Sequence, residues 1–472
     1  MEDTKELPQP SNEQQNSPKP KGGFKAGVDK FFKISERGSS FKREFMGGLV
    51  NFLVLSYILV VIPGLFSGVG GEGLWKALFV ATILTTIVST LCMALYVNLP
   101  IVLAPGIGLA SYVVQLIDSG MYTYSQAMSI CLLAGVVFVL LTVTGLRKKI
   151  VNAVPECIKN AIPVGVGLFI LNVGLSTNNS GIIDLLNGTA SSTAPVVAIV
   201  SLLIMVVLHI KKVKGGIFIG ILCGTILDLA IKLCMGQNPF SVLATNSWLP
   251  PFGELAESSL FKFDFAGLFS GNIFTAIISV VLVVFAVVLI DLFDSIGTLF
   301  ATAGRANLYD KNGQIINLNK AMMVDGCGPI FSTCFGIPNT TSYVESTTGI
   351  ESGARTGLSG VYTSLFFVVS LFISPLIMLI PVYATAPALV LVGVLMFDNV
   401  TKIDYKNLSF SIPAILTIIM MPLTNNITIG IAFGLISYTF IMMLTGKFKQ
   451  VNVFTYVISL LFILYFVSLY VI

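Results

Sequence analysis

The sequence predicts an all-α protein that crosses a membrane many times. Of its 472 residues, 55% are hydrophobic and only 11% are charged, whereas soluble domains carry about 25% charged residues. The mean hydropathy is +0.90. Apolar runs of about 20 residues, the length that crosses a bilayer, recur from Glu44 to the C-terminus. These observations favour one polytopic membrane domain over two soluble domains.

The chain divides into two membrane halves flanked by shorter segments. Its first residues are rich in Pro, Gln, Asn, Ser, Lys and Glu, a composition typical of a disordered tail. The apolar runs number seven in each half, which gives fourteen predicted spans. The predicted divisions are a cytoplasmic tail (1–30), a first seven-span repeat (31–235), an extracellular or interfacial linker (236–265), a second seven-span repeat (266–445) and a hydrophobic C-terminal segment (446–472).

Basic residues support this count, because cytoplasmic loops carry an excess of Lys and Arg. With the N-terminus inside, every even-numbered span ends inside. Basic residues follow these spans at Arg147, Lys148, Lys149, Lys211, Lys212, Lys214, Arg305, Lys311, Arg355, Lys402, Lys406, Lys447 and Lys449. The predicted outer loop 176–194 contains none. We therefore predict a multi-pass protein of the cell (plasma or inner) membrane with a cytoplasmic N-terminus.

Two predicted spans carry Gly and Pro where a membrane helix would normally be continuous. Span three opens with Leu103-Ala104-Pro105-Gly106-Ile107-Gly108, and span ten with Phe335-Gly336-Ile337-Pro338-Asn339-Thr340. Seven spans per half also make the second half start on the opposite side, as in an inverted repeat. Backbone groups freed from a helix in lipid are tolerated only where they face protein or a water-filled cavity. Matching interruptions of spans three and ten therefore indicate a binding site near the midplane, where half-helix N-termini offer free N–H groups.

Acidic residues inside the spans are the strongest candidates for function, because burying a charge in a membrane is costly. Asp291 and Asp294 lie three residues apart in predicted span eight, on one helical face. Glu345 follows the interruption in span ten. Burial disfavours the charged form of a carboxyl group, so such groups can load and release protons near neutral pH. They could equally bind Na⁺ together with backbone carbonyls.

Other features argue against several classes of function. The seven cysteines form no CxxC pair, so neither a zinc site nor a disulfide framework is indicated. An intramembrane enzyme would need a nucleophile–base pair or a metal cluster, and the single histidine, His209, lies beside Lys211 at the end of a span. The net charge is +4, and the basic residues that produce it lie mainly in the tail and short loops. This distribution does not indicate nucleic-acid binding. We predict no enzyme activity and no cofactor beyond a coupling ion.

The same segments resemble the purine permeases of the azaguanine-resistance (AzgA-like) group, within the nucleobase–cation symporter and nucleobase–ascorbate transporter superfamily. The resemblance covers nearly all of residues 31–445. The matching segments are Phe32-Lys33-Ile34-Ser35-Glu36-Arg37-Gly38, Ala104-Pro105-Gly106-Ile107-Gly108-Leu109, Leu292-Phe293-Asp294-Ser295-Ile296-Gly297-Thr298-Leu299, Tyr343-Val344-Glu345-Ser346, Gly353-Ala354-Arg355-Thr356-Gly357-Leu358 and Ala384-Thr385-Ala386-Pro387-Ala388-Leu389.

The resemblance implies two inverted repeats of seven spans. Spans one to four and eight to eleven would form a core domain, and the remaining spans a gate domain. A purine nucleobase would bind between the domains, beside the broken spans three and ten. The acids at Asp291 and Glu345 would contact the base, and Asp294 would act in affinity or proton coupling.

The chain departs from the family pattern at both interruptions. Many members carry Asn where this chain has Ala110, and their usual Gly-Thr-Ser-x-Val-Thr is replaced by the segment 336–341. The candidate base-binding residues are Asp291, Glu345, Ala110, Gly336, Pro338, Asn339 and Thr340. The loop 311–316 resembles guanine and hypoxanthine members, whereas Leu292-Phe293-Asp294-Ser295 resembles adenine members. We predict guanine and hypoxanthine as substrates, with adenine as the alternative.

Several alternatives stay open from the sequence. Na⁺ could replace the proton as the coupling ion. An anion carrier of the sulfate-permease type shares the fold, but it would need a cation near the half-helix ends, where this chain has acids. A channel and a homodimer are also compatible with the sequence. Residues 451–472 are long enough either to cross the membrane or to lie on it.

Overall fold

The regular structure is almost entirely helical. The computed structural model describes residues 23–145, 154–176, 181–186, 193–240, 248–270, 273–306 and 316–471. The first 22 residues of the predicted tail, the basic group 147–149 and nearly all of the loop 311–316 lie outside these ranges. Within them, eight helices are long and apolar enough to cross a membrane, and five shorter apolar helices accompany them. The chain is therefore a multi-pass membrane protein.

The described part of the first half contains ten helices and one short strand. Their bounds are α1 Phe24–Phe32, α2 Phe41–Leu55, α3 Ile58–Leu65, α4 Ser67–Cys92 with a π-helical turn at Met93–Val97, β1 Leu103–Ala104, α5 Ile107–Asp118, α6 Tyr124–Val143, α7 Glu156–Leu175, α8 Ile182–Leu186, α9 Ala194–Ile210 and α10 Gly216–Cys234.

The described part of the second half contains ten helices and a second short strand. Its elements are α11 Phe252–Ser258, α12 Ile273–Ala306, α13 Leu318–Phe335, β2 Thr341–Ser342, α14 Ser346–Glu351, α15 Leu358–Ser370, α16 Ser374–Ile377, α17 Val382–Leu395, α18 Leu408–Thr424, α19 Ile427–Leu444 and α20 Val453–Val471. Short 3₁₀ turns lie at Gly267–Phe269, Leu371–Ile373, Met396–Lys402 and Phe448–Gln450.

The long helices pack in two groups. In the first bundle, α2–α6 pack with α12–α15; the main pairs are α6 with α13, α2 with α15, and α4 with α13 and α15. In the second bundle, α7, α9 and α10 pack with α17–α19, mainly as α7 with α17 and α18, and α9 with α10 and α17. The bundles meet where α5 and α12 contact α7 and where α3 contacts α17. Each bundle thus takes helices from both halves of the sequence.

The N-terminal tail is ordered earlier than the sequence predicts. Residues 24–30, assigned above to the disordered tail, belong to helix α1. The reason is an apolar face on this short helix. Phe32 and the following Ile34 are buried against Leu358, with Val28 and Phe41 packed around them. Burial of these side chains on the end of α15 stabilises the helix, which composition alone does not reveal.

The C-terminal segment forms helix α20, which runs antiparallel to α19. The Ser459 hydroxyl lies 2.8 Å from that of Thr439, and the ring of Phe466 packs on Phe433. Phe462, on the same face of the helix, is buried against Phe285 of α12. The helix has 19 residues and is therefore about 28 Å long, close to the roughly 30 Å thickness of the hydrocarbon core.

An ion pair lies within the second bundle. Asp228 and Lys232, four residues apart on α10, lie 2.8 Å apart. The Tyr383 hydroxyl of α17 also donates to Asp228, at 2.7 Å. The buried aspartate therefore joins α10 to α17 and has a structural role.

Candidate functional site

The two interrupted segments meet at the centre of the first bundle. Leu103 and Ala104 of β1 pair antiparallel with Ser342 and Thr341 of β2. The Tyr343 backbone N–H extends the pairing by donating to the Val102 carbonyl, at 3.0 Å. Gly and Pro free backbone groups from the helical ladder, and these groups must be paired in an apolar surrounding. The two interruptions thus satisfy some of each other's backbone groups, and the Thr90 hydroxyl of α4 bonds to both the N–H and the carbonyl of Leu103.

Half-helices leave the strand pair in both segments. Helix α5 begins at Ile107 directly after Gly106, and the short helix α14 begins directly after Glu345. The Tyr343 hydroxyl donates to the Pro105 carbonyl, which fixes the second interruption beside the start of α5. Before the second interruption, α13 ends at Gly336, whose φ of +93° is a conformation that favours glycine. Gly106, Gly336, Pro105 and Tyr343 thus contribute to the shape of the two interruptions.

Asp291 of α12 points into this junction. Its side chain is 3% exposed, and its Oδ1 accepts a 2.9 Å hydrogen bond from Nδ2 of Asn339. Asn339 Oδ1 in turn accepts from the Gly106 backbone N–H, at 3.2 Å. The acid predicted from the sequence is therefore bonded to one interruption directly and to the other through Asn339.

A small cavity lies beside Asp291. It is lined by Leu109, Cys131, Ala134, Gly135, Phe138, Val287, Val288, Asp291, Pro329, Pro338 and Asn339. The volume of the cavity is about 10 Å³, which is room for one water molecule. A purine ring system does not fit without movement of the lining helices.

Glu345 lies at the far end of the second interruption. Its side chain is half-buried, and its Oε1 accepts a 3.3 Å hydrogen bond from the Tyr57 hydroxyl at the start of α3. It is absent from the residues that line the cavity beside Asp291. Asp291 thus bonds to the first residue of the segment 339–345 and Glu345 is its last residue, but the two acids do not share this cavity.

The other predicted site residues fall into three groups. Pro338 and Asn339 line the cavity together with Asp291. Ala110, Gly336 and Thr340 are not among the residues that line it: Ala110 is fully buried in α5, the Gly336 carbonyl accepts from the Tyr124 hydroxyl at 2.7 Å, and Thr340 is buried. The side chain of Asp294 lies outside the described part of the chain.

Two residues that hold the junction could not be assigned a role from the sequence. Asp325 of α13 is fully buried, and its Oδ1 accepts from the Ser342 N–H at 3.2 Å and from the Ser342 hydroxyl at 3.0 Å. Tyr57 is the donor to Glu345 described above. Both are polar groups in apolar spans, and an intramembrane acid such as Asp325 is a functional candidate by default.

Known proteins resemble the chain along most of its length. A family model described as a permease family (Xan_ur_permease) matches residues 42–433. The guanine/hypoxanthine permease PbuO of Bacillus subtilis is 36% identical over 448 residues, covering 91% of this chain and 98% of that relative. The adenine permease AdeQ of Escherichia coli is 30% identical over 449 residues, covering 93% and 95%.

Solved structures of other transporters share the fold. The transmembrane domain of the cyanobacterial bicarbonate transporter BicA superposes with a TM-score of 0.58 at 16% identity, covering 83% of this chain and 97% of that one. The murine anion transporter Slc26a9 gives 0.55 at 13% identity, covering 92% and 74%. The family match and the relatives go further than the shared fold, and they establish that the chain belongs to the Xan_ur_permease family of membrane permeases and is a transporter, not an enzyme.

Proposed function

We propose that this permease imports purine nucleobases, with guanine and hypoxanthine favoured over adenine, by proton symport. The observation that carries the proposal is the pairing of two interrupted membrane segments around a buried acid, Asp291, in a chain whose relatives carry purine permease names. The relative at 36% identity is a guanine/hypoxanthine permease and the one at 30% is an adenine permease. The order of identity is consistent with the preference for guanine and hypoxanthine.

The fold supports a seven-plus-seven inverted repeat. In the proposed arrangement each half contributes seven membrane segments in the same order, with the interrupted segment third in each. These segments are α2–α3, α4, β1–α5, α6, α7, α9 and α10 in the first half and α12, α13, β2–α14, α15–α16, α17, α18 and α19 in the second. In this proposal the first bundle is the core domain and the second bundle is the gate domain.

Transport then requires the core to move against the gate. The start of α5 packs tightly on α7, since a Cβ atom added at Gly108 would lie 3.0 Å from Val166. The Tyr112 hydroxyl of α5 also hydrogen-bonds to Thr428 of α19. Separating α5 from α7 and α19 would open space at the junction for the base. Alternating access is the proposed motion because both contacts join the two bundles.

Protonation of a buried carboxyl group explains why a proton would accompany the base. A bound neutral base does not cancel the charge of Asp291 or Glu345, and moving a buried charge through an apolar environment is costly. A proton on one of these groups removes that cost, so the loaded carrier reorients more easily. Na⁺ bound at the same groups would serve the same purpose.

The main competing function is anion transport. The two solved structures named above are anion carriers by name, but their identity to this chain is only 16% and 13%. Acids at the interruptions also repel an anion. Nucleobase transport is therefore the better supported function.

Competition for hypoxanthine uptake tests the proposal. In membrane vesicles containing the full chain, we expect saturable uptake of labelled hypoxanthine that excess guanine suppresses and that uracil, sulfate and bicarbonate do not. An inward proton gradient should raise the initial rate by about tenfold, the effect of roughly 1.4 kcal/mol, and replacing Na⁺ by choline should leave it unchanged.

Each alternative gives a different result in the same assay. Strong competition by adenine alone would reassign the base. Uptake that depends on Na⁺ and not on pH would show that Na⁺, rather than the proton, is the coupling ion. Uptake that sulfate or bicarbonate suppresses and purines do not would reject the proposed function. Vesicles without the protein provide the background.

The position of α20 makes a prediction about topology. If α20 crosses the membrane as a fifteenth span, the C-terminus lies outside while the N-terminus lies inside. We expect a C-terminal epitope to bind antibody on intact spheroplasts, and an N-terminal epitope to bind only after permeabilisation. A variant that ends after Lys449 lacks α20 and should have its C-terminal epitope inside. If the full-length C-terminal epitope also requires permeabilisation, α20 does not cross.

A further inference from the structure

Asn339 joins three elements that are far apart in the sequence. Its Nδ2 donates to Asp291 Oδ1 of α12, and its Oδ1 accepts from the Gly106 N–H, where α5 begins. These partners are 48 and 233 residues away along the chain. Asn339 is 3% exposed, so both bonds are shielded from water. Hydrogen bonds in such a buried environment are stronger than in water, and their loss is more costly.

The chemistry of the two partners fixes the orientation of the amide. An ionised carboxylate only accepts hydrogen bonds, and a backbone N–H only donates. The group between Asp291 and Gly106 must therefore donate at one end and accept at the other, which a side-chain amide does. The reversed amide would place its oxygen against the carboxylate and its NH₂ against an N–H.

The backbone at Gly106 is shaped to receive this amide. A Cβ atom at position 106 would lie 2.9 Å from Nδ2 of Asn339, a contact that real Cβ atoms essentially never show, and 3.0 Å from its Oδ1. Glycine is therefore required for the amide to approach the start of α5. The close approach indicates that Asn339 is packed as part of the protein framework.

A second contact keeps the interrupted segment in register with α12. The Ser295 hydroxyl lies 3.5 Å from that of Thr341. Asp291 and Ser295 are four residues apart on a helix, a rise of about 6.0 Å, and Asn339 and Thr341 are two residues apart on an extended segment, a rise of about 6.6 Å. The two spacings match, so the segment can contact one face of α12 at both points.

We infer that Asn339 is a positioning residue, which holds the Asp291 carboxylate and the N-terminus of α5 in one rigid unit, and that it does not bind the base. This inference rests on the proposed function only in that the unit forms part of the proposed base site. It replaces the role predicted for Asn339 from the sequence. Each end of its amide already has a protein partner.

Few other described groups that can titrate face this unit. The Cys131 thiol of α6 lines the same cavity as Asp291, together with the apolar Leu109 of α5 and Pro329 of α13. Asp294 lies one turn further along α12, and its side chain is outside the described residues. A new carboxyl group at position 339 would therefore interact mainly with Asp291.

Exchanging the two side chains tests the inference. N339D places two carboxyl groups face to face, which disfavours ionisation of both. We expect the melting temperature of the purified full chain to fall by several degrees at pH 7.5 and to recover as the pH is lowered, because one shared proton restores a donor. Adding D291N should also restore it at pH 7.5. In that double variant the amide at position 291 can donate to the carboxylate at position 339, which also still accepts from the Gly106 N–H.

A matched control and a binding measurement complete the test. N452D makes the same change at the exposed residue before α20, where the side chain accepts from the Phe454 N–H. Asp and Asn serve equally well at a helix N-terminus, so N452D should leave the melting temperature unchanged. At acidic pH, N339D should keep the wild-type ranking of guanine, hypoxanthine and adenine as competitors of labelled hypoxanthine. A changed ranking with an unchanged pH profile would overturn the inference, as would an N339D melting temperature equal to wild type.

The stability measurements do not depend on any substrate. If no purine binds to the wild-type protein while D291N still restores N339D, the proposed function fails and the role of Asn339 stands. If purines bind and D291N does not restore N339D, the positioning role fails and the proposed function stands.

Discussion

Replacing Glu345 by Gln is expected to reduce purine uptake by about a hundredfold or more. A hydrogen bond to a charged group contributes roughly 1.5–3 kcal/mol, and each 1.4 kcal/mol is a factor of ten, so two bonds from a base to this carboxylate account for such a loss. Gln keeps the size of the side chain and an oxygen that can accept from Tyr57, so the fold should survive. The measurement is the initial rate of labelled hypoxanthine uptake, normalised to the amount of protein in the membrane.

The chain offers a close control for this substitution. Glu351 lies six residues further on, at the end of α14, and is exposed. E351Q makes the same chemical change outside the junction and should transport at nearly the wild-type rate. Wild-type uptake by E345Q would remove Glu345 from the proposed site and leave Asp291 as the principal acid.

The general architecture could be predicted because it follows from composition and local pattern. Low charge and long apolar runs predict a polytopic membrane protein, and Gly106 and Pro338 predict interruptions, because these residue types break the helical ladder wherever they occur. The acids Asp291 and Glu345 could be identified because an ionisable group in an apolar span is costly in any fold. Each of these inferences needs only neighbouring residues.

The partners of these residues could not be predicted, because they depend on distances between remote segments. Nothing near Asn339 in the sequence indicates that it bonds to Gly106, 233 residues away. The roles of Tyr57 and Asp325 also appear only when the bundle is assembled. The helix α1 was missed for the same reason, since its apolar face is buried on α15. Local sequence identifies the polar groups, and the tertiary structure determines which of them meet.

Shared architecture does not determine the substrate here. Transporters named for bicarbonate and other anions have the same fold at 13–16% identity, so the helical framework is compatible with several solutes. Function depends on the groups placed on a fold rather than on the fold itself. In this chain those groups are the acids and the amide at the junction, which is why the decisive experiments alter single polar atoms.

Removing the carboxylate of Asp325 is expected to destabilise the protein severely. Its Oδ1 accepts from both the N–H and the hydroxyl of Ser342. At roughly 1.5–3 kcal/mol per bond to a charged group, D325A loses about 3–6 kcal/mol. That is a large share of the ~5–15 kcal/mol that stabilises a typical protein. We expect little D325A protein in the membrane and a strongly lowered melting temperature in detergent.

Two further variants separate the hydrogen bonds from the charge of Asp325. D325N keeps an oxygen at the same position and should retain most of the stability, while S342A removes only the hydroxyl bond and should lose an intermediate amount. If D325N is stable but does not transport, the charge of Asp325 takes part in coupling as well as in folding. If D325A is as stable as the wild type, β2 is held by its other contacts, such as the pairing with β1, and Asp325 has no role in shaping the interruption on which the proposed site depends.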